Sequence, residues 1–127
     1  MIHLDTSVLV DALTGPRRSA GKLRASIESG ERVLVSSVVL YEWLRGPRLP
    51  EEFEAQEALF PSQFAVPFGS DEAVLAARLY RSVKQARGRE IDLAIASCAI
   101  LQRSGLWTLN VKDFEGIPDL ILFRPPG

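Results

Sequence analysis

Apolar positions along this chain fall into short runs set between longer stretches of helical spacing. Ile2 to Leu4 is an apolar segment that ends at Asp5. Ser7 to Leu13 then carries a helical pattern that Gly15-Pro16 stops. Arg17 to Glu28 reads as an amphipathic helix, with Leu23 and Ile27 on one face and Gly30 closing it. Arg32 to Val35 is a second β-type run. A helix capped by Ser36 or Ser37 follows, carrying Val38, Val39, Leu40, Tyr41, Trp43 and Leu44 before Gly46-Pro47 ends it. Glu51 to Leu59 predicts an acidic helix and Phe64 to Phe68 a short strand. Ser70-Asp71-Glu72 offers a cap with acids in the first turn, opening a helix to about Arg87. The apolar face of that helix is Ala76, Leu79, Tyr80 and Val83. Leu93 to Leu101 is apolar almost throughout, which predicts a helix buried on most sides and stopped by Gly105. Leu106 to Leu109 and Leu120 to Phe123 are the last two strand-like runs.

Short apolar strands alternating with helices predict an α/β architecture with a mostly parallel sheet. At 127 residues the chain is read as one domain, residues 1–127, with a core that needs neither disulfide nor structural metal. The single cysteine, Cys98, has no partner for a disulfide within the chain. No apolar stretch approaches the roughly 20 residues of a membrane span, and no secretory leader is recognisable. The expected location is therefore the cytoplasm, with no membrane partner. Net charge is −1, which argues against bulk attraction to nucleic acid, although 12 of the 15 basic residues are Arg.

In parallel α/β sheets ligands bind beyond the carboxyl ends of the strands. Asp5 stands at such an end, and position alone does not choose between a ligand and a helix cap there. Glu42 is embedded in Val38-Val39-Leu40-Tyr41-Glu42-Trp43-Leu44, where a carboxylate either occupies a narrow solvent-facing edge or needs a cation or donors. Asp92 lies in the first turn of the most apolar helix, a position its helix dipole favours in any case. Asp113 follows the Leu106 to Leu109 run, where Asp is also a common turn former. Each acid alone has an ordinary explanation. Together they mark one edge of the fold. Clustered carboxylates repel, and hard oxygen ligands without Cys or His select Mg²⁺ or Mn²⁺. The natural chemistry of such a site is phosphodiester hydrolysis by activated water.

Four blocks of this sequence resemble those of the PIN-domain family, most closely its VapC-type toxins. Ile2-His3-Leu4-Asp5-Thr6-Ser7-Val8-Leu9-Val10-Asp11 is similar to the family's opening strand with its first acid. Ser36-Ser37-Val38-Val39-Leu40-Tyr41-Glu42-Trp43-Leu44-Arg45-Gly46 is similar to its second block, Asp92 to Ala99 to its third, and Trp107-Thr108-Leu109-Asn110-Val111-Lys112-Asp113-Phe114 to its last. The resemblance implies a three-layer α/β/α fold with Rossmann-like winding. It implies Asp5, Glu42, Asp92 and Asp113 as ligands of Mg²⁺ or Mn²⁺, with Thr6, Ser7, Thr108 and Asn110 orienting ligands or water. It further implies an RNA substrate, a cognate antitoxin protein, and a homodimer or higher even oligomer. Gly88-Arg89-Glu90-Ile91 runs straight into Asp92, shorter than in many relatives, so Glu90 is either a further acid of the site or a helix cap.

Arg78, Arg81, Lys84 and Arg87 recur every three residues and predict either a basic ridge that grips RNA phosphates or a solvated face. Phe53, Leu59, Phe60, Phe64, Val66 and Phe68 are expected in the core, with a groove for an antitoxin segment or a second copy as the alternative. His3, the only histidine, is expected to be structural, which leaves a Ser-His-Asp hydrolase without a base. Cys98 is expected to be an inert packing residue. Rival functions are an Asp-nucleophile phosphotransferase, whose second Asp is replaced here by Ser7, and a receiver-type domain, whose acceptor position holds Ser36. A PIN-fold scaffold or RNA-processing module without a toxin role is a further alternative.

Overall fold

A computed structural model describes residues 1–127. Its sheet is parallel throughout, in the order β2-β1-β3, with β1 (Ile2–Leu4) at the centre between β2 (Val33–Leu34) and β3 (Gly105–Trp107). Ile2 pairs with Val33 on one side and Gly105 on the other, and Leu4 with Trp107. All three residues of β1 are buried, as a central strand covered on both faces requires. Around the sheet lie α1 (Thr6–Leu13), α2 (Ala20–Glu28), α3 (Ser37–Arg45), α4 (Pro50–Leu59), α5 (Ser70–Ser82), α6 (Glu90–Leu101) and the single turn α7 (Val111–Phe114). One group of helices is built on α1, which packs on α2, α3 and α4; a second pairs α5 with α6, and α6 also rests on β3. The result is the three-layer α/β/α arrangement.

Local sequence explains most of these elements. Ser36 caps α3 by accepting a hydrogen bond from Val39 N–H at 3.2 Å. Glu72, not Ser70, caps α5: its carboxylate accepts from the Gly69 N–H at 3.0 Å. Residues Leu93 to Ala99 of α6 are buried without interruption where the helix packs on α5 and β3, and five of these seven side chains are small. Trp43 fills the space beneath α3, with the Phe53 ring set edge-on at 6.4 Å and the Arg48 guanidinium 4.3 Å from its own ring centre.

Several expected elements are shorter than their patterns. Phe64 to Phe68 is not a strand. Ser62–Phe64 forms a 3₁₀ turn, and only Val66 bridges to Ser36, because Pro61 and Pro67 supply no N–H to extend a ladder. Leu120 to Phe123 likewise makes a single parallel bridge, Leu122 to Leu106. Gly105 belongs to β3 and does not stop α6; a Cβ there would stand 3.1 Å from that of Phe123, so glycine lets this edge segment come close. The stop is at Leu101, after which Arg103 turns into left-handed backbone (φ 53°). The second helix begins at Ala20 instead of Arg17, since Gly15 and Arg17 take positive φ and the Ser19 hydroxyl is committed to Asp11. Helix α5 ends at Ser82, five residues before Arg87. There the chain turns inward to place Val83 and Ala86 against the core, and burial overrides helical periodicity. The basic ridge is therefore broken, with Arg78 and Arg81 on the helix and Lys84 and Arg87 in the turn beyond it. Tyr80, expected on the apolar face, is exposed. So is much of the aromatic stretch expected in the core, with Phe64 73% accessible and Leu59 and Phe68 also open.

Candidate active site

Asp5 follows the last residue of β1 and occupies the position preceding α1, yet its side chain makes no cap bond. Its backbone N–H donates to the Trp107 carbonyl at 2.9 Å, which extends the β1–β3 pairing and aims the side chain at the carboxyl edge of the sheet. The residue is only 4% accessible. One carboxylate oxygen, Oδ2, accepts hydrogen bonds from Ser7 Oγ at 2.7 Å and Thr108 Oγ1 at 2.8 Å. The other, Oδ1, takes no hydrogen bond from the protein. Each hydroxyl also accepts a backbone N–H from the loop after β3: Ser7 from Leu109 at 3.0 Å and Thr108 from Asn110 at 3.0 Å. Both protons are thus spent on Asp5, and the 3.4 Å approach between the two hydroxyls is proximity, not a third bond.

Glu42 projects from α3 at 21% side-chain accessibility. Thr6 Oγ1, the first residue of α1, donates to its Oε1 at 2.5 Å, while Arg45, one turn on, sits 3.6 Å from its Oε2. The apolar surroundings of Glu42 thus leave it half-buried with a donor and a cation, not on a free edge. Asp92, in the first turn of α6, receives no hydrogen bond from the protein. Burial foremost, and then the charges of Asp5, Asp113 and Glu42, push its carboxyl up to about 6, with Arg89 opposing. Asp113 lies exposed on α7, whose position is held by Arg89 donating to the Asp113 carbonyl oxygen at 2.5 Å.

The four acids therefore share one electrostatic neighbourhood, although no three Asp, Glu, His or Cys side chains converge closely enough to grip an ion as they stand. The two observations are compatible. Charge repulsion reaches over about 10 Å, whereas coordination of Mg²⁺ demands oxygens near 2.1 Å.

Thr6, Ser7 and Thr108 thus contact the acids directly. Asn110 reaches them only indirectly, its backbone N–H donating to the Thr108 hydroxyl while its side chain stands exposed without a bond to the site. Glu90 folds back to accept the Gly88 N–H at 3.2 Å, and backbone donors hold its pKa below the usual carboxylate value, so it serves the start of α6. Arg45 and Arg89 escaped the sequence reading as partners of the acids; the i, i+3 spacing from Glu42 to Arg45 was the available signal for the first. His3 is fully buried with neither ring nitrogen bonded, and burial lowers its pKa to about 4. It is a neutral core residue.

A model of the PIN domain family matches residues 2–118. Ribonuclease VapC19 of Mycobacterium tuberculosis is 35% identical over 97% of both chains. Ribonuclease VapC1 of Methanocaldococcus jannaschii is 32% identical over 93% of this chain and 82% of its own. Among solved structures, VapBC2 from Rickettsia felis bound to a DNA fragment from its promoter superposes with a TM-score of 0.73 and 25% identity, over 97% of this chain and 98% of the other.

Proposed function

Because this chain belongs to the PIN-domain family, we propose that it is the ribonuclease toxin of a toxin–antitoxin pair. It acts as an endoribonuclease, hydrolysing RNA phosphodiester bonds at the cluster of Asp5, Glu42, Asp92 and Asp113. The observation that carries this reading is the gathering of four carboxylates from segments as distant as β1 and α7, where burial first and the other three charges next raise the Asp92 carboxyl to about 6. Their like charge and shared edge are costly for folding and are offset by a cation.

The donor set fits Mg²⁺ or Mn²⁺: oxygens only, an open Oδ1 on a rigidly held Asp5, and an Asp92 with no competing protein donor. A divalent ion bound there supplies Lewis acidity, which acidifies a water and offsets charge growing on the attacked phosphate. The chain's own residues supply the geometry. Ser7 and Thr108 lock Asp5 in one orientation. Thr6 orients Glu42, and Arg45 tempers its charge. Arg89 holds the turn that carries Asp113 while standing beside Asp92. With the only histidine neutral and buried, no side chain other than the acids is placed to accept the proton of the attacking water.

The proposed assembly includes an antitoxin protein and a homodimer or higher even oligomer, working in the cytoplasm; no helix is long and apolar enough to cross a membrane. The antitoxin proposal is supported by the kinship with VapBC2 and by the cleft bordered by Leu34, Leu40, Leu59, Phe60 and the exposed Phe64. Cleavage of a mixed RNA pool with Mg²⁺, with Mn²⁺ and with EDTA, beside the Asp5→Asn variant, tests the enzyme. Cleavage that disappears in EDTA and in the variant is expected. Full activity of Asp5→Asn refutes the site.

A further inference from the structure

A site built of four acids repels the polyanion it is meant to cut, and on a chain of net charge −1 the attraction must come from somewhere specific. The two cations beside the acids are already engaged, Arg45 with Glu42 and Arg89 with the Asp113 carbonyl. A cavity of about 360 Å³ opens at the carboxyl end of β3, and its rim holds Arg18, Lys22 and Arg124. No acidic residue lines it. The chain's ion pairs are Met1 amino group to Glu31 and Arg45 to Glu42, so all three rim cations are unpaired. They come from the segment before α2, from α2 itself and from the carboxyl-terminal edge segment, and the fold holds their like charges around one opening.

Two further features orient the reading. Phe123 and the exposed Leu109 give the cavity an apolar side, with Trp107 packed behind Phe123 at 5.8 Å between ring centres. Thr108 also lines the cavity, and its hydroxyl is the one that donates to Asp5 at 2.8 Å. Basic pocket and acid cluster therefore share a wall.

We propose that this cavity is a nucleotide subsite, an inference that rests on the ribonuclease reading above. It receives one unpaired nucleotide of the RNA strand beside the cut, with Arg18, Lys22 and Arg124 on the flanking phosphates and the base and sugar against Phe123 and Leu109. The cavity lies near the lower end of ligand-sized pockets, about 300–1,000 Å³, which suits a single extruded nucleotide and excludes a duplex. An acidic protein segment also satisfies the charge, but not the common wall with the acids.

The test is binding of a labelled single-stranded RNA pool in EDTA, read by fluorescence anisotropy over a range of salt, with cleavage kinetics alongside. The Arg18→Ala/Lys22→Ala/Arg124→Ala variant is expected to bind at least tenfold more weakly. Its log K against log salt slope should be shallower by about 2, from about 0.7 per single-strand phosphate contact. In cleavage its KM rises by a similar factor while kcat stays within about twofold, and the exposed Arg32→Ala serves as a control that changes neither. Unchanged RNA binding and an unchanged salt slope overturn the subsite. If poly-glutamate binding falls in the variant while RNA binding persists, the cavity belongs to an acidic protein segment instead. A wild type that cuts no RNA, yet loses RNA binding on the triple change, overturns the ribonuclease reading and leaves the cavity an RNA site.

Discussion

Asp92→Asn should make the metal-free protein more stable while destroying its activity. The Asp92 carboxyl is raised from 3.8 to about 6, by burial first and by its three acidic neighbours next. A folded-state pKa above the unfolded one means that folding favours the protonated acid. Stability from this group is complete below about pH 4 and is lost as pH rises through about 6. At about 1.4 kcal/mol per pH unit, the displacement corresponds to roughly 3 kcal/mol. The side chain is only half-buried, so solvent screening reduces that to roughly 1–2 kcal/mol, about 4–8 °C in Tm for a chain of this size. Asparagine loses nothing in exchange, since no protein group donates to Asp92. Thermal unfolding in EDTA, followed by circular dichroism, should show variant and wild type melting together near pH 4 and the variant melting higher at pH 7.5. Added Mg²⁺ or Mn²⁺ should then raise the wild-type Tm and leave the variant's nearly unmoved. A variant no more stable than wild type at pH 7.5 in EDTA refutes the claim that burial and the neighbouring acids disfavour the ionised Asp92.

Thr108→Val removes one of the two donors on Asp5 Oδ2 and strips the Asn110 N–H of its acceptor. A hydrogen bond to a buried charge is worth about 1.5–3 kcal/mol, so urea denaturation should show a loss of about 2 kcal/mol and cleavage should fall at least tenfold, with Thr108→Ser restoring both. Cys98 is fully buried, and burial pushes its thiol up to about 12. At pH 8 a thiol reagent should therefore label native protein at least a thousandfold more slowly than protein in urea, and fast native labelling would show that α6 opens.

The strand–helix alternation and the four acids were legible because both depend on short-range pattern: apolar runs, and charges where apolar residues belong. Asp5 could be placed at a strand's end from five residues of sequence. What escaped depends on partners far along the chain. Helix α5 continues in periodicity to Arg87 but stops at Ser82, because Val83 and Ala86 are drawn to a core that no local window contains. Pro61 and Pro67 gave the cue against a strand at Phe64 to Phe68, and the aromatic content outweighed it. Asn110 contributes a backbone N–H to the Thr108 hydroxyl where a side chain was expected. Arg18, Lys22 and Arg124 stand more than a hundred residues apart at their extremes, and only the fold makes them neighbours.

The bond from Thr108 to Asp5 spans 103 residues of sequence. A nascent chain that has been translated through α6 already carries Asp5, Glu42 and Asp92, but it has neither the hydroxyl that fixes the first nor the turn that brings Asp113. The orientation of Asp5 is thus a late product of chain assembly, fixed only when the loop after β3 closes on the first strand.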